Sequence, residues 1–307
     1  MRSIQILEPG PLATVQDRGR FGYRSWGVPV SGAMDLQAFR VGNLLVGNPQ
    51  DSAGIEITAG GFRAEFRCRA HFAVCGQEPG IFLNGRRVES WRSHAAGEGD
   101  VLHVDAAGGP RTCFCVSGGI DVAPVMDSRS TYLRGRFGGL DGRPLRAGDI
   151  LPVGPGGGWT GTAPAELVPR YSREAVLRAV PGPQDDFVSP ESRTDFFSKW
   201  YEVSARADRM GLALSGPALS LPRGADIISD GTCPGAVQVH GNGQPTILAS
   251  DCQTVGGYVK IATVISADLP LVAQLAPGDR VRFERTDLWQ AREIYLRNEY
   301  LIRTLLP

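Results

Sequence analysis

Short runs in which apolar and polar residues alternate recur along most of the chain, separated by turn residues. Alternation with a period of two is typical of half-buried β-strands. The pattern predicts strands at Ile4–Leu7, Ile55–Thr58, Arg63–Arg67, His71–Cys75, Val101–Val104, Thr112–Val116, Val176–Val180, Ala236–His240, Thr246–Ala249, Val259–Ile265 and Arg280–Glu284. Because forty glycines and twenty-two prolines leave few long periodic stretches, we predict a mainly β protein with tight turns.

A few segments have helical patterns instead. Ser31 is predicted to cap a helix that continues to about Val46. A short helix is expected at Pro190–Trp200. Asp287 and Gln290 resemble a capping box, which predicts a C-terminal helix.

The segment Pro152–Pro169 is rich in glycine and proline and has little apolar content, which is typical of a linker. We therefore predict an N-terminal β-barrel domain over residues 1–160 and a C-terminal β-barrel domain with a terminal helix over 161–307. The linker contains GPGGGWTG (Gly154–Gly161), which lacks the lysine of a phosphate loop. A Gly-Asp pair precedes an alternating strand in AAGEGDVLHV, LRAGDILPV and LAPGDRVRF; it is either a common turn or a mark of two related barrels.

The overall composition narrows the class of protein. The formal net charge is zero, which argues against nucleic acid or an anionic membrane as the main partner. No apolar run is long enough to span a bilayer, and the N-terminus has no signal-peptide core. The six cysteines form no CxxC pair, which favours reduced thiols in the cytoplasm over a zinc site or a disulfide framework.

The segment Asp251–Val264 (DCQTVGGYVKIATV) combines many polar side chains with the start of a β-branched strand. Gly256 and Gly257 allow close approach of the backbone to a ligand. Tyr258 and Lys260 lie two residues apart, so they point to the same face of an extended strand. This segment is interpreted as one wall of a site for a small polar substrate.

Other polar clusters have two interpretations each. Asp17, Arg18 and Ser31 could form an anion or carboxylate pocket, or could merely cap a helix. The arginine-rich segment Ser128–Asp149 could be a mobile loop that closes over phosphate or carboxylate, or a solvated surface loop. The acidic residues of VPGPQDDF and ADRMG could serve catalysis or stabilise helix starts. Histidines are few, no GxSxG occurs, and Cys252 is expected to be a buried, inert thiol.

Seven strings occur in one order along the chain: QDRGRFG, GVPVSGAMD, SRSTYLRGRFGGLDGRPLRAGD, GPQDDF, DRMG, GNGQPTIL and DCQTVGGYVKIATV. Together they resemble the 5-oxoprolinase C-subunit family, also labelled allophanate hydrolase subunit 2, and part of the carboxyltransferase region of urea carboxylase. The resemblance implies two cyclophilin-like β-barrels, a partner B subunit, and an A subunit that holds ATP with Mg²⁺. It also implies ATP-dependent opening of 5-oxo-L-proline to L-glutamate.

The chemistry of this reaction suggests roles for the polar residues. Cations would bind phosphate and the substrate carboxylate, and a carboxylate would orient water. The predicted catalytic residues are Lys260, Asp251, Tyr258 and Asp186. The predicted substrate-binding residues are Asp17, Arg18, Ser31, Arg129, Ser130, Tyr132, Gln184, Arg209, Gln253, Thr254, Gly256 and Gly257. No metal ligands are predicted in this chain. Lys260→Ala and Asp17→Ala are expected to abolish turnover with little change in melting temperature.

Two alternatives stay open. The chain could be a biotin-dependent carboxyltransferase acting on urea or a related amide. It could also be a non-catalytic regulatory subunit that antagonises a kinase inhibitor. In either enzyme hypothesis we expect the site in a groove between the two barrels. Homo-oligomerisation is possible under each of them.

Overall fold

The computed structural model describes residues 2–105, 108–157 and 159–304, and these form two compact units. The first unit contains the chain up to Phe21, Ser31–Pro169 and the C-terminal residues from Leu301. The second contains Gly22–Val30 and Arg170–Tyr300. The units therefore differ from the predicted division at residue 160 in three segments: Gly22–Val30, residues 161–169 and the C-terminal end.

The first unit is built from two antiparallel sheets. One has the strand order β11-β1-β4-β9-β6-β7 and the other the order β2-β3-β10-β5-β8. The strands are β1 (Ser3–Pro9), β2 (Leu12–Gln16), β3 (Gly54–Thr58), β4 (Phe62–Phe66), β5 (Ala70–Gly76), β6 (Ile81–Leu83), β7 (Arg86–Val88), β8 (Ser93–Ala96), β9 (Val101–Val104), β10 (Arg111–Val116) and β11 (Ile150–Pro152).

The core of the first unit lies between these two sheets. Alternate residues of both sheets are fully buried in one apolar cluster, such as Ile4 in β1 and Ile55 in β3. Three phenylalanines, Phe66, Phe72 and Phe114, pack ring against ring, with centroids 5.3 to 6.2 Å apart. Burial of the apolar face of each sheet is the main stabilising contribution.

Helix α1 (Leu36–Leu45) covers β5 and β10 of the first unit. Its N-cap is Asp35, whose Oδ1 accepts a hydrogen bond from the backbone N of Ala38 at 3.0 Å. The sequence prediction that Ser31 caps this helix is therefore wrong. Ser31 lies upstream with a φ of 57°, in the left-handed region, where the backbone turns before the helix begins.

The second unit is a closed barrel. Its strand order is β12-β19-β13-β14-β17-β16-β18-β15, and β18 also pairs with β12 through Ala179↔Val264. The strands are β12 (Glu174–Pro181), β13 (Tyr201–Ala207), β14 (Gly211–Ser215), β15 (Asp226–Gly231), β16 (Ala236–Val239), β17 (Pro245–Leu248), β18 (Val255–Val264) and β19 (Arg280–Arg285). Closure leaves β15 as an additional strand on β18.

Three further helices lie in the second half of the chain: α2 (Pro190–Ser198), α3 (Leu269–Ala273) and α4 (Leu288–Thr304). Asp287 caps α4, since its Oδ1 accepts from the backbone N of Trp289 and of Gln290, each at 2.9 Å. The predicted fold class is confirmed as mainly β, with a few short helices and a C-terminal helix; the second unit is a closed barrel and the first is two packed sheets. Among the described residues, no helix is long and apolar enough to cross a membrane.

The three Gly-Asp pairs noted in the sequence form the same turn. Asp100, Asp149 and Asp279 each accept a hydrogen bond from the backbone N three residues earlier, at 2.7 to 2.9 Å. The preceding glycines have φ between 86° and 91°, which favours glycine there. Each turn leads directly into a strand, β9, β11 or β19.

Candidate functional site

Lys260 is a buried cation on β18 of the second unit. The chain has only two lysines, Lys199 and Lys260, among thirty-two lysines and arginines. Lys199 is exposed, whereas Lys260 is 4% exposed. Val259 and Ile261, on either side of it, are fully buried. Strand alternation therefore places Lys260 and Tyr258 on the opposite face from these apolar residues.

The Lys260 ammonium pairs with a carboxylate at the surface of the unit. Nζ donates to Oδ2 of Asp230 at 3.0 Å, and the Asp230 side chain is 56% exposed. This hydrogen bond from Lys260 is the main cause that lowers the pKa of Asp230, followed by a hydrogen bond from the backbone N of Gly231. The pair thus joins a desolvated cation to a carboxylate that water can reach.

Gln184 lies beside this ion pair. Its Oε1 accepts from the backbone N of Lys260 at 3.2 Å, and its side chain also contacts Asp230. The preceding turn is held by the backbone N of Gly182, which donates to the carbonyl of Ile261 at 2.7 Å. A Cβ at Gly182 would lie 2.1 Å from the Lys260 carbonyl oxygen, so the close approach of this turn to β18 requires glycine.

Two further carboxamide side chains, Gln238 and Gln253, form a hydrogen-bonded pair near Lys260. Gln238 on β16 is the register partner of Lys260, and it is 2% exposed. Its Oε1 accepts from Nε2 of Gln253 at 3.1 Å, while its own Nε2 is buried with no hydrogen-bond partner among the described residues. A Cβ at Gly256 would lie 2.6 Å from that Nε2. Glycine at this position therefore keeps space for the Gln238 amide.

The loop before β18 is fixed by Thr232 and Arg24. The Thr232 hydroxyl donates to the carbonyl of Gln253, and the backbone N of Thr232 donates to the carbonyl of Thr254 at 3.1 Å. Nη2 of Arg24 donates to the Thr232 carbonyl at 2.6 Å. We refer to Gln184, Asp230, Gln238, Gln253 and Lys260 together as the Lys260 cluster. Gln184, Gln253, Gly256 and Lys260 are among the predicted site residues, and the structure brings these four together.

Asp251, two residues before Gln253 in the chain, forms a buried, bidentate ion pair with Arg209. Nε and Nη2 of Arg209 donate to the two carboxylate oxygens of Asp251 at 2.9 and 3.0 Å. The backbone N of Asp251 also donates to the Arg209 carbonyl at 2.7 Å. Both side chains are less than a tenth exposed. Because each oxygen of Asp251 already binds the guanidinium, this geometry favours a structural role over the predicted catalytic one.

The other predicted catalytic residues of this unit are more exposed. Asp186 pairs with Arg223, and this hydrogen bond is the main cause that lowers its pKa. Tyr258 is 38% exposed and packs edge-on against His240, with ring centroids 4.7 Å apart. Burial, and next Arg206, lower the pKa of His240, so this ring is neutral at pH 7.

Two of the predicted residues of the first unit, Arg129 and Ser130, contact the carboxylate of a third, Asp17. It accepts from the backbone N of Gly19 at 2.8 Å, from Oγ of Ser128 at 2.8 Å and from the backbone N of Arg129 at 2.5 Å. The Ser130 hydroxyl also donates to it. Asp17 is 7% exposed. These contacts indicate that Asp17 fixes the turn at residues 17–19 to the segment that begins at Ser128.

A cavity of about 390 Å³ opens beside Asp17. Arg18 and Arg129 line it, together with the carboxylates of Asp51 and Asp127. Arg129 is already engaged by the carbonyl of Val122 and by Asp121. The Ser31 hydroxyl is buried and has no hydrogen-bond partner among the described residues.

The arginine-rich segment Ser128–Asp149 is tied down at several points. Arg143 binds both oxygens of Asp149 at 2.8 and 2.9 Å, and this hydrogen bond is the main cause that lowers the pKa of Asp149. Tyr132 packs edge-on against Phe137, with ring centroids 5.5 Å apart. The segment therefore uses part of its positive charge internally, and its predicted closure over a substrate stays a prediction.

The structure assigns two members of the Lys260 cluster that the sequence prediction omits, Asp230 and Gln238. Both lie outside the polar run 251–260 and reach it through pairing of β15 and β16 with β18. Cys252 is fully buried, and burial raises the pKa of its thiol to about 11, which agrees with an inert thiol.

Comparison with known proteins gives relatives that cover nearly the whole chain. The 5-oxoprolinase C subunit of Escherichia coli (strain K12) is 37% identical over 289 residues, which are 94% of this chain and 93% of that protein. Urea amidolyase of Lachancea kluyveri is 33% identical over 329 residues, or 99% of this chain and 18% of that protein. The crystal structure of the Kluyveromyces lactis urea carboxylase is also similar, with a TM-score of 0.94 and 31% identity. The match covers 98% of this chain and 29% of the urea carboxylase chain.

The chain thus corresponds to nearly the full length of a 5-oxoprolinase C subunit, whereas it matches less than a third of the urea-processing proteins. The family model for the carboxyltransferase domain, subdomain A and B, matches residues 26–285. The chain belongs to this carboxyltransferase-domain family, and the resemblance inferred from its motifs is confirmed.

Proposed function

We propose that this chain is the C subunit of an ATP-dependent 5-oxoprolinase, which opens the lactam of 5-oxo-L-proline to L-glutamate together with its A and B subunits. Relatives with this name match over nearly their full length, which supports the proposal. The observation that carries it is the Lys260 cluster. It pairs the buried Lys260 ammonium with Asp230 and places three carboxamide side chains around this residue: Gln184 on its backbone N, Gln238 at the facing strand position, and Gln253 bonded to Gln238.

The cluster suits the chemistry of a lactam. The substrate presents a neutral C=O and N–H together with one carboxylate, so it needs both hydrogen-bond donors and a cation. Lys260 would supply the positive charge to the substrate carboxylate or to an oxygen that becomes negative during the reaction. The carboxamides would pair with the C=O and N–H. Hydrogen bonds to a charged group contribute about 1.5–3 kcal/mol each.

Replacing Asp230 by a substrate as the partner of Lys260 would cost little free energy. Its carboxylate partner, Asp230, is largely exposed and can be solvated by water when the ammonium turns to a substrate. If Asp230 were fully buried, its carboxylate would be left as an unpaired charge without water when Lys260 turned away, which is costly. The cluster therefore keeps Lys260 paired before substrate binds, without fixing it permanently.

We further propose that ATP and Mg²⁺ are held largely by a partner protein of the complex, because this chain has no lysine-bearing phosphate loop. ATP would phosphorylate the lactam oxygen, so that water can add to the activated carbon. The ring C–N bond then breaks, the nitrogen leaves as the protonated amine, and hydrolysis of the acyl phosphate releases phosphate and L-glutamate. Asp186, whose pKa is lowered mainly by Arg223, is the residue proposed to orient water, and Tyr258 is proposed to donate to the substrate amide. All six cysteines are free thiols, which supports a cytoplasmic location.

The test is reconstitution with the companion A and B subunits. We expect ADP and glutamate to form in response to 5-oxo-L-proline only when this chain is present. The Gln253→Ala variant should raise the KM for 5-oxo-L-proline, because it removes a donor to the lactam, and should leave partner binding unchanged. Equal glutamate formation without this chain would contradict the proposal.

A second candidate function is biotin-dependent carboxyl transfer to urea or a related amide. The close structural match to the Kluyveromyces lactis urea carboxylase over 98% of this chain favours it. A ureido group also presents C=O and N–H groups, so the same carboxamides would serve. Avidin-sensitive transfer of labelled bicarbonate to urea, with no ATP hydrolysis in response to 5-oxo-L-proline, would replace the first proposal by this one.

A further inference from the structure

A cavity of about 440 Å³ in the first unit contains none of the candidate site residues. Its lining includes two arginines, Arg2 and Arg69, together with His71 and Ser117. Ala70, Ala95 and Ala96 form its apolar part. A volume of this size lies in the range of small-molecule sites, about 300–1,000 Å³.

The charge of this cavity is positive. No aspartate or glutamate is among its described lining residues, and neither Arg2 nor Arg69 forms an ion pair within the described part of the chain. Asp100, which lies in the turn after β8, is engaged elsewhere: it accepts from the backbone N of Gly97 and from Nδ2 of Asn84, each at 2.7 Å. Its carboxylate is therefore not committed to either arginine.

One donor beside the cavity lacks a partner, and a hydroxyl there has a hydrogen to donate. Nε of Arg2 is buried and has no hydrogen-bond partner among residues 2–105, 108–157 and 159–304. Nη2 of Arg2 makes a long hydrogen bond of 3.3 Å to the carbonyl of Ser117. The Ser117 hydroxyl accepts from the backbone N of His71 at 3.0 Å, so its own hydrogen can be donated elsewhere. An oxyanion in the cavity would accept from the Ser117 hydroxyl and from the exposed guanidinium of Arg69.

The glycine-rich linker segment contributes the remaining side of the cavity through Gly156 and Gly157. A Cβ at Gly156 would lie 2.5 Å from the backbone of Ser117, so this close approach requires glycine. A Cβ at Gly157 would meet no atom within 4 Å. The sequence GPGGGWTG lacks the lysine of a phosphate loop, but the fold places Arg2 and Arg69 at the same cavity as Gly156 and Gly157.

We propose that this cavity binds a phosphate group, either as inorganic phosphate or as the phosphate of a small monoester. Two guanidinium groups match the oxygens of a phosphate geometrically and electrically, and a serine hydroxyl adds a third type of donor. The volume leaves room for an organic part attached to the phosphate, which would lie against the alanines.

The proposal is tested by titrating the intact chain with inorganic phosphate and with AMP, by calorimetry at constant ionic strength. Saturable binding of either probe is expected, and the stronger probe identifies the source of the phosphate. Arg69→Ala, which removes an exposed side chain of the lining, should weaken binding by about tenfold or more. Arg87→Ala removes the same charge from exposed strand β7 and should leave binding within about twofold.

A matched pair at Gly157 gives a second test. Gly157→Asp places a carboxylate at the cavity and should abolish binding, whereas Gly157→Asn has nearly the same size and should retain it. Absence of saturable binding by both probes would overturn the proposal. So would an equal loss of affinity in Arg69→Ala and Arg87→Ala, because that result would show a general charge effect.

Discussion

The buried pair Arg209–Asp251 gives the sharpest prediction about stability. Removal of one partner leaves a charge in a site that is less than a tenth exposed. Arg209→Met removes both hydrogen bonds to the Asp251 carboxylate, which are 2.9 and 3.0 Å long. The expected loss of unfolding free energy is about 3–5 kcal/mol. The double variant Arg209→Met/Asp251→Leu should lose much less, because no buried charge is left alone.

Urea unfolding followed by far-ultraviolet circular dichroism measures this difference. With a slope of about 2 kcal/mol per molar urea, the single variant should shift the midpoint of the second unit by roughly 2 M. The double variant should recover most of that shift. A midpoint unchanged in Arg209→Met, together with loss of 5-oxo-L-proline turnover in Asp251→Asn, would refute the structural role and restore the catalytic role predicted from the sequence.

Three further predictions concern single sites. Asp17→Ala should lower the unfolding free energy by about 3 kcal/mol or more in urea denaturation, because the buried donors around Asp17 lose their acceptor; an unchanged midpoint would instead support the expectation from sequence alone. Lys260 lowers the pKa of Asp230 below its ordinary value of 3.8. The ion pair therefore stabilises the folded state at pH values above 3.8, and this stabilisation is lost as the pH falls through the lowered pKa. Nuclear magnetic resonance titration of the Lys260→Met variant should show the pKa of Asp230 rising toward 3.8, and no rise would contradict this geometry. Iodoacetamide should label exposed Cys233 well before Cys252, whose pKa of about 11 and full burial keep it protonated, and early Cys252 labelling in mass spectra would disagree.

The sequence pattern predicts strands best where one face of the sheet is buried. Val101–Val104 is predicted with the bounds that the structure has, and β16 and β17 differ by one residue from the prediction. Short strands such as β6 and β7 are not predicted, because three residues do not establish a period. Nor is β15, whose residues are mostly exposed and so do not alternate.

The candidate site is predicted mainly from one polar run of the chain, and Gln184 is the predicted member that lies outside that run. Gln253, Gly256 and Lys260 lie in one polar run, so their proximity follows from the run itself. Asp230 and Gln238 join them through strand register, and a shift in register at Gln238 could not be derived from one sequence. The helix cap assigned to Ser31 is wrong for a similar reason, since a left-handed turn separates Ser31 from the helix.

The most direct test of the function proposed for the Lys260 cluster is the turnover of 5-oxo-L-proline by the reconstituted complex with each lysine replaced in turn. Lys260→Met removes the buried ammonium group, while Lys199→Met removes the chain's exposed lysine and serves as the control. We expect Lys260→Met to lower kcat/KM by about 100-fold or more with partner binding intact, and Lys199→Met to have no effect. Equal turnover in the two variants would contradict the account.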